Sequence, residues 1–257
     1  MNRKFDRHTP DPLPSRRMLT RDIVVAPVAD TRKFCGPVKD QGGEGACTAH
    51  AGTEAFEWID RAYFKNSRIY SPQYTYAKEL IAQGDFPNDE GSDGTTLCGT
   101  LIVNGCCELS LFPYVSGQIV RPTAAQDLDA AKHTLGSFHG LTGSKTALSI
   151  LGDPTPWPVL VGFTVYESFE SDQVAKTGVY DPNLGAESVL GGHEVLMVGY
   201  DVGETPTLRP SGSKPSALIM NSWGTGWGLS GFVWMALSVL DASDTDLKIA
   251  HSGGPWK

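Results

Sequence analysis

The sequence predicts an α+β protein in which a helical half is followed by a β half. Helical patterns fall between residues 46 and 105, and strand-forming runs follow between residues 158 and 237. Helices grouped before strands, without regular alternation, are typical of α+β folds. With 257 residues, 40% of them apolar and 19% charged, the chain can form one compact domain or two half-domains that share a cleft.

The chain divides into an arm and a globular part. Residues 1–22 are polar and contain three prolines, which predicts an extended N-terminal extension. Residues 23–257 form the predicted globular domain, with its helical half at about 36–115 and its β half at about 116–257.

The first predicted helix covers residues 46–64 and directly follows the glycine-rich loop at 41–45. Apolar residues recur along this segment at helical spacing, so a long, partly buried helix is expected. The predicted buried face consists of Ala55, Phe56, Ile59, Ala62 and Tyr63.

Further helices are predicted in the first 151 residues. One covers 71–83, where Ser71 is suited to cap the N-terminus and Pro72 to occupy the first helical position. Another covers 93–105 and is closed by a glycine. A fourth helix is expected in one of two segments, 123–135 or 144–151.

Five apolar, β-branched and aromatic segments predict the strands of the second half. Glycine, proline, asparagine and serine separate them, and the polar segment 202–216 predicts a surface loop. The predicted strands are 158–166, 178–180, 193–201, 216–223 and 231–237.

Composition argues against two classes of partner. The formal net charge is −8 and the sequence pI is about 5.2, which disfavours nucleic acid because phosphate binding needs clustered Lys and Arg. No apolar run approaches the roughly 20 residues of a membrane span, so no membrane partner is expected. No secretory signal is visible, which predicts a cytoplasmic protein or export by a route without such a signal.

The segment VKDQGGEGACTAHAGTEAFEW, at residues 38–58, contains the first candidate for chemistry. Cys47 follows the glycine-rich loop and begins the first predicted helix. A helix N-terminus lowers the pKa of a thiol, as a nucleophile requires. The alternative is a buried spacer in a turn.

His193 and Asn221 supply the groups that a thiol nucleophile needs. His193 opens the strand GGHEVLMVGYD and Asn221 begins NSWGTGWG. An Asn carbonyl can accept from the imidazole N–H, while a neighbouring Trp shields that bond from water. Gln41 can offer an amide N–H to a developing oxyanion, with the Cys47 N–H as second donor. Taken alone, His193 is equally well explained as a satisfied polar residue at a strand end.

Together these motifs resemble those of the papain-like cysteine peptidases, from about residue 24 to about residue 235. DTRKFCGPVKDQGGEGACTAHA is similar to the family's nucleophile segment, GGHEVLMVGYD to its histidine strand and NSWGTGWG to its asparagine segment. YSPQYTYA and ELSLFPY resemble family stretches between them. The separation from Cys to His, 193 − 47 = 146, fits a family spacing of roughly 130–150 residues.

The resemblance implies a two-lobed fold with a cleft between a helical half and a β-barrel-like half. It implies that Cys47 is the nucleophile, His193 the acid and base, Asn221 the residue that orients the imidazole, and Gln41 the oxyanion donor. It also implies a set of substrate-binding residues along the cleft: Gly45, Ser92, Asp93, Gly94, Gly192, Glu194 and Trp223.

The chain departs from the familiar members of this family at two positions near the nucleophile. Glu44 stands where they have a disulfide-forming cysteine, and Thr48 where they have an aromatic residue. GACTAHA resembles a bacterial subgroup instead. Four further cysteines are either buried free thiols or include a disulfide bridge: Cys35, Cys98, Cys106 and Cys107.

The expected activity is that of a monomeric cysteine endopeptidase acting on peptide or protein substrates, with no metal and no organic cofactor. The alternatives are an acyl transferase with the same Cys/His/Asn groups, a peptide-binding module, and a zinc module built on three of the cysteines at 98, 106 and 107. Only about 22 residues precede the globular part, far fewer than the family's inhibitory prodomain. The arm is therefore expected either to cover the cleft partly or to stabilise the back of one half.

Overall fold

The computed structural model describes residues 26–251. The N-terminal extension predicted at residues 1–22 lies outside the described residues. The expectation that this arm covers the cleft therefore stays a prediction. The elements below are numbered along the chain.

Helix α1 (Cys47–Ile59) begins at the candidate nucleophile and continues as a π-helical segment, Asp60–Phe64. It ends at Lys65, which adopts a left-handed conformation with φ 55°. Every α1 residue after Cys47 is buried, and the helix packs against two further helices, Pro72–Gln83 and Gly94–Val103, and the long strand Val189–Asp201. The long helix predicted at 46–64 is confirmed, and it is more deeply buried than its one apolar face indicated.

The next two helices start as their sequences predict. In α2 (Pro72–Gln83), the Ser71 hydroxyl accepts from the Tyr74 N–H at 3.1 Å, and Gly84 closes the helix with φ 85°. In α3 (Gly94–Val103), the Asp93 carboxylate accepts from two backbone N–H groups of the first turn, both at 2.8 Å. The latter helix ends two residues before the predicted glycine.

Both candidate segments for a fourth helix are helical, as α4 (Ala124–Ala130) and α5 (Gly143–Leu151). Two short helices, α6 (Asp172–Thr177) and α7 (Leu237–Leu240), were not predicted. None of the helices within residues 26–251 has the length and apolar character needed to cross a bilayer.

Eight strands form one sheet in the order β2-β8-β3-β5-β6-β7-β4, with β1 paired to β5. All pairs are antiparallel except β4 with β7. The strands are β1 Val28–Asp30, β2 Ser137–Leu141, β3 Val159–Tyr166, β4 Val179–Tyr180, β5 Val189–Asp201, β6 Ser216–Met220, β7 Phe232–Ala236 and β8 Asp246–His251.

The five predicted strands are confirmed, and three others were missed. Strands β1 and β2 are short or interrupted by polar residues and glycine, so their sequences lack clear alternation, whereas β8 alternates only between Asp246 and Ile249. Pairing with distant partners makes them strands: β1 pairs with β5, and β2 pairs with β8. Residues at 28–30 therefore join the sheet of the β half although they precede the helices.

The sheet separates two apolar cores because successive side chains of a strand point to opposite faces. In β5, Val195 and Met197 belong to the core of the β half, whereas Leu196 and Val198 pack into the core that includes α1. Strand β5 thus carries the seam between the halves, and His193 opens its fully buried stretch.

Candidate active site

Cys47 is the first residue of α1 and is partly exposed, and none of the five cysteines, all within residues 26–251, forms a disulfide. Burial raises the pKa of the Cys35 and Cys106 thiols, and raises that of Cys107 to about 12. These three thiols therefore remain protonated near neutral pH. The helix dipole at Cys47 favours the thiolate instead.

His193 and Asn221 form the hydrogen bond that the sequence predicts. His193 Nε2 lies 2.8 Å from Asn221 Oδ1, and both side chains are buried. The Ser222 backbone N–H also donates to this Oδ1, at 2.9 Å, so the oxygen of the amide is identified by a group that can only donate. Nε2 must then carry the proton, which leaves Nδ1 as the basic nitrogen of a neutral ring.

Aromatic rings enclose the histidine. Trp223, predicted to bind substrate, lies with its ring centroid 5.1 Å from that of His193 and the planes 33° apart. Phe163 and Phe169 approach the imidazole at 6.0 and 6.1 Å, and Trp227 packs on both Trp223 and Phe169. This cluster keeps water from the bond between His193 and Asn221.

Gln41 is buried, and hydrogen bonds fix both ends of its side-chain amide. The Ser222 hydroxyl donates to Gln41 Oε1 at 2.6 Å, and Gln41 Nε2 donates to the Glu44 carbonyl at 2.8 Å. One N–H of the amide is occupied by this second bond. The other is the group that the sequence assigns to an oxyanion.

Backbone pairing joins the loop before the nucleophile to the asparagine segment. Asp40 forms an antiparallel bridge with Trp223, and the Gln41 N–H donates to the Ser222 carbonyl at 2.9 Å. The Gly224 N–H donates to the Lys39 carbonyl, also at 2.9 Å. These bonds and the packing of α1 on β5 bring the Cys47 loop together with the segment that holds His193.

The other histidines of the described residues differ from His193. His50 Nδ1 lies 2.8 Å from the Ala46 carbonyl, and burial lowers the pKa of His50 to about 3, so the ring stays neutral at ordinary pH. His133 is buried beside the Tyr70 ring, and His139 faces His251 across the pair of strands β2 and β8.

The predicted substrate-binding residues of the helical half lie together. The Gly45 N–H donates to the Asp89 carboxylate at 3.0 Å, and a Cβ on Gly45 would lie 3.0 Å from the Gly91 Cα. Ser92 is buried next to this contact, and the Asp93 carboxylate accepts hydrogen bonds from backbone N–H groups at the N-terminus of α3. The loops at 41–45 and 89–94 therefore touch through their backbones at a glycine pair.

Gly192 and Glu194, from the β half, occupy β5 on either side of His193. Glu194 points to the opposite sheet face from His193, as strand alternation predicts, but it does not reach solvent. Its Oε2 lies 3.3 Å from where a Cβ of Gly94 would stand, and Lys248 Nζ lies 3.2 Å from the same point. Lys248, which is buried and forms an ion pair with Asp246, is thus the charged residue beside Gly94 and Glu194.

Within residues 26–251, the side chains close enough together to hold a metal ion are not the cysteines of the zinc alternative. Glu108, Asp129 and His133 each bring one ligand atom within 4.8 Å of the others. Arg68 already lies 3.2 Å from the Glu108 carboxylate and Lys132 lies 3.1 Å from that of Asp129, so cations occupy both acids. The zinc alternative named three other residues, Cys98, Cys106 and Cys107, which are buried and form no disulfide.

Several residues around the site escaped the sequence reasoning. Ser222 stands inside the NSW motif but was given no role, and Thr48 donates to the buried Glu79 at 2.7 Å. The one sequence signal for Glu44 is that it is an acidic residue within a glycine-rich loop. No local pattern identifies the partners that come from distant segments: Asp89, Tyr114, Phe169 and Lys248.

Comparison with solved structures identifies the fold class. Xylellain, a cysteine protease from Xylella fastidiosa, superimposes with a TM-score of 0.76 over 90% of this chain and 87% of that chain, at 22% sequence identity. A procathepsin B from Trypanosoma congolense gives a TM-score of 0.75 over 96% and 85% of the two chains, at 15% identity. The protein therefore has the papain-like α+β fold, with a helical part and a β part.

The chain belongs to the papain family of cysteine proteases, whose sequence profile matches residues 25–250. It is 26% identical over 202 residues to an uncharacterized peptidase C1-like protein of Acanthamoeba polyphaga mimivirus. It is 29% identical over 211 residues to the thiol protease aleurain of Arabidopsis thaliana, and 30% identical over 204 residues to a cathepsin B-like protein of Giardia intestinalis. The alignments cover 75%, 78% and 76% of this chain but only 62%, 52% and 62% of these relatives.

Proposed function

We propose that this chain is a cysteine endopeptidase that hydrolyses peptide bonds through a thioester acyl-enzyme. Cys47 is the nucleophile, His193 the acid and base, Asn221 the orienting residue and Gln41 the oxyanion donor. The observation that carries the proposal is the 2.8 Å bond between His193 and Asn221, whose amide orientation fixes the imidazole tautomer. Membership of the papain family supports the same chemistry.

The proposed reaction begins when the Cys47 thiol gives its proton to His193 Nδ1. The thiolate sulfur forms a bond to the scissile carbonyl carbon, and the carbonyl π electrons move to oxygen. The Cys47 N–H and the second N–H of Gln41 Nε2 stabilise that oxyanion. As the oxyanion collapses, the C–N bond breaks and the leaving amine takes the proton from His193.

Deacylation repeats these steps with water. His193 removes a proton from water as its oxygen attacks the thioester carbon. The C–S bond then breaks, the acid product leaves, and the Cys47 thiol is regenerated with the proton held by His193. Asn221 keeps Nε2 protonated throughout, so the same nitrogen, Nδ1, exchanges the proton in both halves of the reaction.

The substrate is proposed to be an extended peptide, or a segment of a protein, that lies along the contact between the loops at 41–45 and 89–94. Action as a monomer, partial cover of the cleft by residues 1–22, and a bacterial origin are further parts of the proposal. For origin, the solved structure of a Xylella protein supports a bacterial subgroup, while the curated relatives named above are viral, plant and protist proteins.

The test compares wild type with Cys47→Ala on a peptide library, in the presence and absence of added amines. Hydrolysis that disappears in Cys47→Ala supports the proposal. Amide products formed from the added amines at the expense of hydrolysis would identify an acyl transferase. Peptide binding without turnover in either protein would identify a binding module.

Thiol labelling tests the nucleophile independently of the substrate. At pH 6–7 an epoxide reagent should modify Cys47 alone, because burial keeps the Cys35, Cys106 and Cys107 thiols protonated. Peptide mass mapping reports the labelled residue. Equal labelling of Cys98 or Cys106 with activity retained would contradict the assignment.

A further inference from the structure

The loop that precedes Cys47, QGGEG at 41–45, is rich in glycine and carries Gln41 at its start. Glycine loses more conformational freedom on folding than any other residue, so such a loop needs outside contacts to hold one geometry. Gly42 has φ 61°, and nothing lies within 4 Å of a Cβ placed on Gly43. The loop's internal residues therefore do little to fix it.

Glu44 connects this loop to the segment at 114–117. Its side chain is buried, at 4% exposure, and both carboxylate oxygens accept hydrogen bonds. Glu44 Oε1 accepts from the Gly117 N–H at 2.6 Å, and Oε2 accepts from the Tyr114 hydroxyl at 2.6 Å. A buried carboxylate is costly unless its oxygens are satisfied, so these short, charge-assisted bonds hold the side chain in place.

Glu44 and its partner Tyr114 both contact Gln41. The backbone carbonyl of Glu44 accepts from Gln41 Nε2 at 2.8 Å, and the Tyr114 hydroxyl lies 2.8 Å from the Gln41 carbonyl. Burial, together with the bond to Glu44, raises the pKa of Tyr114, so this hydroxyl keeps its proton throughout the working range. A shift of Glu44 would therefore move the amide of Gln41 directly.

We propose that Glu44 is a positioning residue that sets where the Gln41 amide meets the oxyanion, through its bonds to Tyr114 and Gly117. This rests on the proposed peptidase function. The role is distinct from general stability, because it predicts a loss in transition-state stabilisation without a matching loss of thiol reactivity. Alkylation of a thiolate by iodoacetamide develops no oxyanion on a carbonyl, whereas amide hydrolysis does.

The experiment uses Glu44→Ala and Glu44→Gln in the full chain. In Glu44→Gln, the amide oxygen can accept from Gly117 and the NH₂ can donate to the Tyr114 oxygen, so both contacts persist. We expect kcat for a peptide substrate to fall about tenfold in Glu44→Ala and to stay within about threefold of wild type in Glu44→Gln, since loss of an oxyanion donor costs about a hundredfold or more. KM and the rate of Cys47 alkylation should change less than about threefold in both.

Asp201→Asn is the matched control. Asp201 is a buried carboxylate that accepts from the backbone N–H groups of residues 207, 208 and 209, at the other end of β5 from His193. Its loss should lower the melting temperature and leave kcat per titrated thiol unchanged. Tyr114→Phe is the second test variant if Glu44→Ala does not fold, and the same selective loss of kcat is expected.

Two results would overturn the proposal: wild-type kcat in Glu44→Ala, or a parallel fall of kcat and alkylation rate. The proposed function fails separately, when wild type shows no peptide hydrolysis that depends on Cys47. Wild-type turnover is therefore established before the Glu44 variants are compared.

Discussion

The two sides of the candidate site are held by different means. His193 lies within β5 and Asn221 directly follows β6, so the backbone ladder between these neighbouring strands fixes their spacing, with Leu196 paired to Met220. Cys47 and Gln41 instead belong to a helix start and a glycine-rich loop, which are positioned by a short backbone bridge to the asparagine segment and by side-chain bonds from distant segments. One side is fixed by regular structure and the other by individual contacts.

This difference predicts how each side responds to substitution. A side chain on the strand ladder can be removed without moving its neighbours, so the effect of the change reports the chemistry of the missing group. A contact in the loop is shared among several residues, so its loss moves atoms that were not mutated.

His193→Ala should lower kcat by on the order of a hundredfold to ten-thousandfold, because the variant lacks the imidazole that exchanges the proton. Steady-state hydrolysis of a peptide substrate measures the loss. His139→Ala is the control, since His139 lies on β2 and faces His251 instead of the site. Near-normal kcat in His193→Ala would require a different base.

Asn221→Ala should weaken turnover by roughly tenfold or more while retaining measurable activity, because orientation contributes less than proton transfer itself. Without the Asn221 oxygen, the neutral ring is no longer held with its proton on Nε2. The comparison is kcat at fixed pH for the variant and wild type. A loss as complete as that of His193→Ala would show that the asparagine does more than orient the ring.

The strand side was largely predictable from sequence, whereas on the loop side Cys47 and Gln41 were predicted but the contacts that hold them were not. His193 precedes one apolar strand pattern and Asn221 follows another, and the pairing of these strands fixes the positions of both motifs. The bond between Glu44 and Gly117 joins residues 73 positions apart, and no local pattern encodes it. The same reason explains why β1 and β2 were missed: each is a strand because of its partner and not because of its own alternation.

Gly45→Ala should lower kcat/KM by about tenfold, since small displacements near a reacting group are costly. The new Cβ would lie 3.0 Å from the Gly91 Cα and 3.2 Å from the Gly91 nitrogen, and backbone atoms cannot swing aside as a side chain can. Gly43→Ala is the matched control in the same loop, because nothing lies within 4 Å of its Cβ. Equal activity of the two variants would show that the glycine contact is not needed.

The smallest effect is expected at Glu194, where the choice lies between a preference for basic substrate side chains and a role inside the protein. Glu194 is buried on the sheet face opposite His193. Its carboxylate and the Lys248 amine lie 3.3 and 3.2 Å from the position that a Cβ on Gly94 would occupy. A carboxylate with an internal lysine beside it attracts a substrate cation weakly, so Glu194→Gln should change the ratio of basic to apolar substrates by less than about threefold. The melting temperature should fall instead, because the buried Lys248 ammonium loses a neighbouring negative charge.

Profiling of Glu194→Gln, Lys248→Met and the double variant on a peptide library measures the substrate preference, and thermal unfolding of the same variants measures the stability. If the pair acts within the protein, the double variant recovers part of the lost stability, whereas a selective loss of cleavage at basic residues in Glu194→Gln would show that its charge reaches the substrate.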